Sequence, residues 1–181
     1  MTSGKVSRMI EPMTDEIVKE PIKFILDVHL GRLARWLRML GFDVLYRNDY
    51  DDPEIVAIAG REARTILTRD LGIMKRRAVT RGYHVQSTKP QEQLHEVLTR
   101  YKLHDQIKPF HRCIVCNGLL DPVPKEAVIK QLEPKTILYY DDYFQCADCR
   151  KIYWRGSHFE RMTTFINGLH EAKIAEARSQ E

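Results

Sequence analysis

Four cysteines in the C-terminal half of the 181-residue chain carry the clearest chemical signal in the sequence. They form two Cys-x-x-Cys pairs, and 29 residues separate the pairs. Two residues between thiols let both sulfurs of a tight turn face one ion, and two such turns complete a tetrahedron of ligands. The sequence therefore predicts one metal site with four thiolate ligands, which are Cys113, Cys116, Cys146 and Cys149.

Zinc fits these four thiolates, and iron in a rubredoxin-like site fits the same spacing. A site closed by four protein ligands has no open coordination position, so we expect a structural metal rather than a catalytic one. Asn117 and Gly118 follow the first pair, and both residue types tolerate the positive φ that such a turn requires.

Acidic residues stand directly after two apolar segments that read as strands. Asp27 follows residues 22–26, and Asp70 comes two residues after residues 65–68. In an open parallel sheet, function gathers at the carboxyl ends of the strands where the strand order reverses. An order of 2-1-3-4 brings the ends of the first and third strands together there, and Asp52 at the start of the second helix could supply a third carboxylate.

Carboxylates that converge at one point repel each other unless a cation lies between them, and oxygen ligands suit Mg²⁺ or Mn²⁺. Such an ion lowers the pKa of a bound water and offsets charge on a phosphate, which favours hydrolysis of a phosphodiester. We therefore interpret Asp27, Asp52 and Asp70 as candidate catalytic metal ligands. Asp52 fits a plain helix N-cap equally well, with Pro53 at the first helical position, and the other two acids also fit turn positions.

Strand-like and helix-like segments alternate between residues 21 and 105. The pattern predicts an α/β fold with parallel strands of order about 2-1-3-4 flanked by helices. The predicted strands are 22–26, 42–46, 65–68 and 83–87, and the predicted helices are 30–40, 53–63, 71–81 and one that opens between 88 and 91. A phosphoacceptor signalling domain with Asp70 as acceptor would need a fifth strand bearing a lysine, and the alternation stops too early for that.

Three regions follow from these patterns. We expect residues 1–20 to be a loosely ordered extension, residues 21–105 a nuclease-type α/β domain, and residues 106–181 a zinc ribbon that ends in a helix starting near Ser157. Hydrophobic residues make up 43% of the chain and charged residues 30%, which is typical of a globular protein. No apolar run is long enough to span a bilayer, and acids occupy the N-terminal segment, so we expect no membrane association, no export signal and a cytoplasmic protein.

Basic residues concentrate in the α/β region. Residues 21–105 carry 15 basic and 11 acidic groups, which equals the whole net charge of +4. Such clusters attract polyanions, although a solvated helix face explains a single cluster equally well. The basic residues of the two clusters are Arg32, Arg35 and Arg38, then Lys75, Arg76, Arg77 and Arg81.

Several segments together resemble the Mut-seven C-terminal RNase domain family, a branch of the PIN-like nucleases with a C-terminal zinc ribbon. The resemblance covers about residues 22–162. The matching segments are Phe24–Asp27, Leu30–Arg38, Leu40–Asp43, Ile66–Asp70, both cysteine pairs and Tyr153–His158.

The resemblance implies a PIN-like fold and metal-dependent cleavage of RNA, with the family's acidic positions on Asp27, Asp52 and Asp70. PIN-like nucleases often carry a further acid shortly after the third strand, but residues 71–76 contain none. That departure keeps open a catalytically inactive adaptor that binds RNA or protein. PIN-like domains commonly dimerise, so the resemblance also allows a homodimer. The residues that we assign to RNA contact are Arg32, Arg35, Arg38, Arg69, Lys75, Arg76 and His158.

Overall fold

The computed structural model describes residues 21–157 and, beyond them, residues 160, 161, 164, 165 and 168. The predicted extension of residues 1–20 lies outside the described residues. Two sheets organise the described part of the chain: a four-stranded sheet that precedes the cysteines and a three-stranded sheet that carries part of them.

The first sheet is entirely parallel and has the order β2-β1-β3-β4, which confirms the predicted α/β fold and strand order. Its central strands are short and almost wholly buried, because helices cover both faces of a parallel sheet, and the buried residues are apolar except Thr65 and Thr68. The strands are β1 (Lys23–Leu26), β2 (Asp43–Leu45), β3 (Thr65–Thr68) and β4 (Gly82–His84).

Alternate residues of β1 supply two separate hydrophobic cores, one on each face of the sheet. Phe24 and Leu26 pack with the first and last helices of this region, and Ile25 packs with the two helices between them. This division follows from the period of two in a strand. The helices are α1 (Gly31–Met39), α2 (Asp52–Arg61), α3 (Leu71–Met74) and α4 (Pro90–Tyr101), with short 3₁₀ turns at Val28–Leu30 and His104–Gln106.

Helix α3 is much shorter than the predicted helix 71–81, and Lys75 is its C-terminal cap. Two features of the following residues explain the early end. Lys75, Arg76 and Arg77 place like charges in succession without a nearby acid on the same segment, and Val79 and Thr80 are β-branched. By contrast, α1 ends where Gly41 adopts a φ of +93°, as the glycine after a predicted helix should.

The second sheet is antiparallel and has the order β5-β6-β7. Two short helices lie in the connection between β5 and β6. The elements are β5 (Leu120–Val123), α5 (Lys125–Val128), a 3₁₀ turn (Ile129–Gln131), α6 (Pro134–Tyr139), β6 (Tyr143–Cys146) and β7 (Ile152–Trp154). A helical stretch begins at Ser157, and Phe165 within it packs on Trp36 with ring centroids 5.3 Å apart.

Two further features of the described residues bear on the sequence predictions. The parallel sheet has four strands there and no fifth strand, so the support for a phosphoacceptor domain falls away. Among the residues described, no helix has the length and apolar character needed to traverse a lipid bilayer.

Candidate active site and metal centre

Asp27 lies at the carboxyl end of β1, where three donors converge on its buried carboxylate. The backbone N–H of His29 donates to Oδ1 at 2.8 Å, and the backbone N–H of Arg69 donates to Oδ2 at 2.8 Å. The hydroxyl of Thr68 also donates to Oδ2. The residue is 2% exposed. The charge of Asp27 is therefore held in one orientation by groups from both central strands.

Asp70 follows the neighbouring strand β3 and is exposed. Its Oδ1 accepts the backbone N–H of Gly72 at 2.6 Å, which caps α3, and its own N–H donates to Oγ1 of Thr68 at 2.8 Å. Thr68 thus connects the two acids, since its hydroxyl donates to Asp27 and accepts from Asp70. The structure brings Asp27 and Asp70 to the same edge of the sheet.

Asp52 does not form with this pair a group whose ligating carboxylate oxygens all lie within 4.8 Å of one another. The N-cap of α2 is Asp51, whose Oδ1 accepts the N–H of Glu54 at 2.8 Å, so the sequence interpretation of Asp52 as the cap is wrong by one residue. Asp52 instead forms an ion pair with Arg76 at 3.3 Å. The Asp52 carboxylate does not cap the helix and is accessible to solvent, but its charge is paired with that of Arg76, one of the basic residues assigned to RNA contact.

An open cleft of about 480 Å³ lies beside Asp70. Such a volume falls within the range of ligand pockets. The walls contain an aspartate, an arginine and a histidine, together with neutral side chains that can form hydrogen bonds. They include neither Asp52 nor any cysteine. The lining residues are His29, Arg69, Asp70, Thr88 and Gln93.

The predicted RNA-contact residues divide into exposed and buried ones. Arg32, Arg35 and Lys75 are exposed, and Arg69 lines the cleft. Trp36 packs on Phe165 as part of the core, as a half-buried tryptophan on an apolar helix face should. His158 lies outside the described residues.

Arg38 does not belong to an RNA-facing surface, and this corrects the sequence assignment. The residue is 3% exposed. Its Nε donates to the carbonyl of Val44 at 2.9 Å, and its Nη1 donates to the carbonyl of Val115 at 2.8 Å. Burial lowers the pKa of the Arg38 guanidinium, although nearby thiols and Asp43 oppose that shift. Arg38 is a structural link between β2 and the first cysteine pair.

The four cysteines form one cluster, as predicted. Their sulfur atoms all lie within 4.8 Å of one another. The sulfurs of Cys113 and Cys149 are 3.6 Å apart, and those of Cys116 and Cys146 are 3.4 Å apart. Tetrahedral zinc with bonds of about 2.3 Å requires sulfur separations of about 3.8 Å. The cluster could therefore bind a metal such as zinc with little rearrangement.

The two cysteine pairs repeat the same backbone turn. Cys113 N–H donates to the carbonyl of Gly118 at 2.8 Å, and Cys146 N–H donates to the carbonyl of Lys151 at 2.9 Å. The fourth residue after each of these cysteines has positive φ, +74° at Asn117 and +61° at Arg150. Asn117 was predicted to tolerate this conformation. The repeat is the two-turn arrangement that a tetrahedral thiolate site needs.

Gly118 is required by the close approach of the two turns. A Cβ atom at this position would lie 2.8 Å from the sulfur of Cys146 and 2.5 Å from a carboxylate oxygen of Asp148. Any larger residue would push the second turn away from the first. The glycine therefore fixes the distance between the two cysteine pairs.

Proton binding by the thiols is strongly uneven. Burial raises the pKa of Cys113, but hydrogen bonds from the Tyr153 hydroxyl and from two backbone N–H groups outweigh burial and lower that pKa to about 7. Burial, reinforced by the neighbouring thiols, raises the pKa of Cys116 to about 12. The first thiolate forms readily, and its negative charge disfavours deprotonation of the neighbouring thiols unless a cation lies between them. A divalent metal would supply it.

Asp43 joins this centre to the parallel sheet. Its Oδ1 accepts hydrogen bonds from Arg64 at 2.6 Å and Asn117 at 2.9 Å, and its Oδ2 accepts one from Arg112 at 3.3 Å. Burial raises the pKa of Asp43, but these hydrogen bonds and the two arginine charges outweigh it and hold that pKa below its usual range. The sequence interpretation missed this role, although the segment Leu40–Asp43 was one of those that carried the family resemblance.

Comparison with known proteins agrees with this architecture. The sequence model described as Mut7-C RNAse domain matches residues 22–166, which include the parallel sheet and both cysteine pairs. No match was found among curated proteins or among solved structures. An RNAse domain indicates a nuclease-like function with RNA as the substrate. Because the match spans most of the sequence, the chain belongs to the Mut7-C RNAse domain family.

Proposed function

We propose that this chain is a metal-dependent ribonuclease that hydrolyses phosphodiester bonds at the edge of the parallel sheet. The observation that carries the proposal is the pair of acids, Asp27 and Asp70, joined through Thr68 beside a cleft that Arg69 also lines. Neighbouring strand ends supply the two carboxylates, as expected for a site at the point where strand order reverses.

The donor set at this edge suits Mg²⁺ or Mn²⁺. Among the described residues, only the four cysteines form a group of three or more possible metal ligands whose donor atoms all lie within 4.8 Å of one another. The acids at the sheet edge therefore do not enclose an ion by themselves. Mg²⁺ commonly uses one or two carboxylates and completes its shell with waters and substrate phosphate oxygens. Asp70 has one oxygen with no partner in the described part of the chain, and Asp27 retains part of its accepting capacity.

Each side chain then has a defined task. A bound ion would lower the pKa of a water and offset charge on the phosphate. Asp27, whose carboxylate Thr68 holds, and Asp70, whose Oδ1 the N–H of Gly72 holds, would orient that ion. The Arg69 guanidinium would bind a phosphate oxygen. Asp52 can bind the ion only if its carboxylate leaves Arg76, so we expect it to contribute less to metal binding than Asp27 and Asp70 do. His158 and the exposed Arg32, Arg35 and Lys75 are proposed phosphate contacts.

At the cysteines we propose zinc with a structural role, with iron as the alternative identity. The contacts of Asn117, Arg38 and Arg112 with β2 and with Asp43 support a ribbon that braces the sheet. We also propose that the boundary near residue 105 separates a nuclease domain from this ribbon.

Cleavage of a labelled RNA in Mg²⁺ or Mn²⁺ tests the nuclease proposal. We expect Asp70→Asn to reduce the cleavage rate by about 100-fold or more, since removing one charged group from a catalytic site typically costs that much. The control is Asp121→Asn, which changes an exposed acid on β5 and should leave the rate unchanged. Equal rates for wild type and Asp70→Asn would refute the proposed site.

An inactive adaptor with the same fold is the second candidate. Two observations favour it: residues 71–76 contain no acid, and Asp52 is engaged by Arg76. The same RNA separates the candidates. Retention of the RNA by wild type without cleavage in either metal would support the adaptor and would refute the nuclease.

A further inference from the structure

Gln93 is a buried polar residue in the wall of the cleft, and it has no part in the metal site. The residue lies in the first turn of α4 and is 5% exposed. Its Nε2 donates to the carbonyl of Ser87 at 2.9 Å. No donor among the described residues reaches its Oε1, although the residue lines the cleft. This oxygen is not one of the buried side-chain atoms that lack a partner, so it is accessible from the cleft and can accept a donor from water or a ligand.

The backbone carbonyl of Ser87 fixes the orientation of the Gln93 side-chain amide. A carbonyl oxygen only accepts, so the amide nitrogen must face Ser87, and the reversed amide would bring two oxygens together. The same carbonyl accepts Nη1 of Arg69 at 3.1 Å. One backbone oxygen therefore positions both Gln93 and Arg69 in the wall of the cleft.

The Ser87 carbonyl is itself held in place by α4. The carboxylate of Glu96 accepts the backbone N–H of Gln86 at 2.8 Å and that of Ser87 at 3.1 Å. The Ser87 hydroxyl donates to Glu92 at 2.7 Å. These bonds fasten the loop after β4 to the helix that carries Gln93. The arrangement is a preformed site rather than a chance contact on a free loop.

We propose that Gln93 and Arg69 form a nucleotide-binding subsite in which Oε1 of Gln93 accepts a hydrogen bond from an O–H or N–H donor of the bound nucleotide. The inference rests on the proposed nuclease function and names what that site selects. Arg69 binds a phosphate of the same nucleotide through its remaining N–H groups. The donor is either the ribose 2′-hydroxyl or an amino or imino group on the base edge, and both present a proton to a carbonyl oxygen.

Selectivity follows from the fixed orientation of the acceptor. A bound nucleotide that lacks the donor covers Oε1 and leaves it unpaired, and sites of this kind discriminate strongly against analogues without the matching group. Gln93 is thus a specificity residue. It selects the nucleotide, and the acids at the sheet edge perform the hydrolysis.

The test compares wild type with Gln93→Met, which has a similar shape but no accepting oxygen. Substrates are a parent RNA, copies with a single 2′-deoxynucleotide at each position near the cut, and copies in which inosine replaces guanosine or purine riboside replaces adenosine. We expect one substitution to lower kcat/KM of wild type by about 10- to 100-fold and to lower that of Gln93→Met by less than about 3-fold. Which substitution does so identifies the donor as ribose or base.

A second variant serves as the control. Gln91→Met changes an exposed glutamine on the same helix and should discriminate as wild type does. Thermal melting of both variants checks folding. Discrimination by Gln93→Met equal to that of wild type would overturn the subsite, and so would equal loss of discrimination in Gln91→Met.

Failure of the nuclease proposal is distinguishable from failure of this one. If wild type cuts the parent RNA and Gln93→Met discriminates normally, the nuclease stands and the subsite is refuted. If wild type cuts no RNA, the same oligonucleotides are compared by equilibrium binding. A preference present in wild type and lost in Gln93→Met then supports the subsite, and the same preference in both proteins overturns it.

Discussion

The four-thiol cluster and the acidic edge of the parallel sheet differ in how fully their polar groups are satisfied. At the cluster, four sulfurs face one another, Tyr153 lies 3.0 Å from Cys113, and Gly118 leaves no space between the turns. At the edge, an Asp70 oxygen and Oε1 of Gln93 have no partner in the described part of the chain. We therefore interpret the cluster as a centre that stabilises the fold, and the groups held in place without partners as groups for a substrate.

The difference predicts where substitutions act. Changes at the cluster should lower the free energy of unfolding, and changes at the unpartnered groups of the edge should lower activity with little effect on folding. Each of the following experiments tests one side of that contrast.

The largest expected effect is loss of a thiolate ligand. Cys146→Ser should lower the free energy of unfolding by about 4 kcal/mol or more and reduce the bound metal from one ion per chain to none, since a structural metal contributes directly to folding. Elemental analysis and denaturant unfolding measure the two quantities. Ala147→Ser changes an exposed neighbour in the same turn and should leave both unchanged. Purified wild type without zinc or iron would contradict the structural metal.

The next effect concerns the connection between the cluster and the sheet. Asp43→Ala should cost about 2–4 kcal/mol of unfolding free energy, because Arg64 and Arg112 would lose the carboxylate that pairs them away from water. The matched control is Asp49→Ala, which breaks an exposed ion pair with Arg47 and should cost far less, because water screens that pair. Equal costs in urea unfolding would mean that the ribbon does not brace the sheet.

The two acids of the edge should themselves respond differently. Asp27→Asn should cost about 1–3 kcal/mol, because an amide cannot accept all three of the hydrogen bonds that the carboxylate accepts. Asp70→Asn should cost less than about 0.5 kcal/mol, because Asn caps a helix as well as Asp does. Thermal melts would distinguish them, and a strong destabilisation by Asp70→Asn would weaken the view of Asp70 as a residue kept for chemistry.

The smallest expected effect is a pH dependence carried by Glu96. Burial raises the pKa of Glu96, but hydrogen bonds from Gln86, Tyr83 and Ser87 outweigh it and hold that pKa below its ordinary value of 4.5. A lowered pKa stabilises the fold at pH values above the unfolded-state value, and this contribution is lost as pH falls through the folded-state pKa. The contribution of Glu96 to the free energy of unfolding should be below about 1 kcal/mol because its carboxylate is partly solvated. The difference in unfolding free energy between wild type and Glu96→Gln should therefore shrink from pH 6 to pH 4.

Local patterns in the sequence were sufficient for the positions of the strands and for the thiol cluster. Apolar runs and their spacing placed β1 and β3 within one residue, and the two Cys-x-x-Cys pairs identified the cluster before any contact was known. Both are short-range signals: a period of two or 3.6 residues, or two residues between ligands.

Long-range contacts explain what the sequence interpretation missed. Arg38 resembles Arg32 and Arg35 in spacing, yet it contacts the carbonyl of Val115, 77 residues away. The Ser87 carbonyl that orients Gln93 and Arg69 is a backbone atom and leaves no trace in residue type. Such roles depend on which segments meet in the fold, and a single sequence does not encode that in its local pattern.

The contact between the first cysteine turn and strand β2 also covers an edge of the parallel sheet. Strand β2 lies at the edge of the parallel sheet, and the N–H of Val44 on its open side donates to Asn117 at 2.8 Å. The carbonyl of the same residue accepts Nε of Arg38 at 2.9 Å. An unprotected edge strand is a template for pairing with another chain. The first cysteine turn covers this edge, and we therefore expect removal of a bound metal to lower the solubility of the protein as well as its stability.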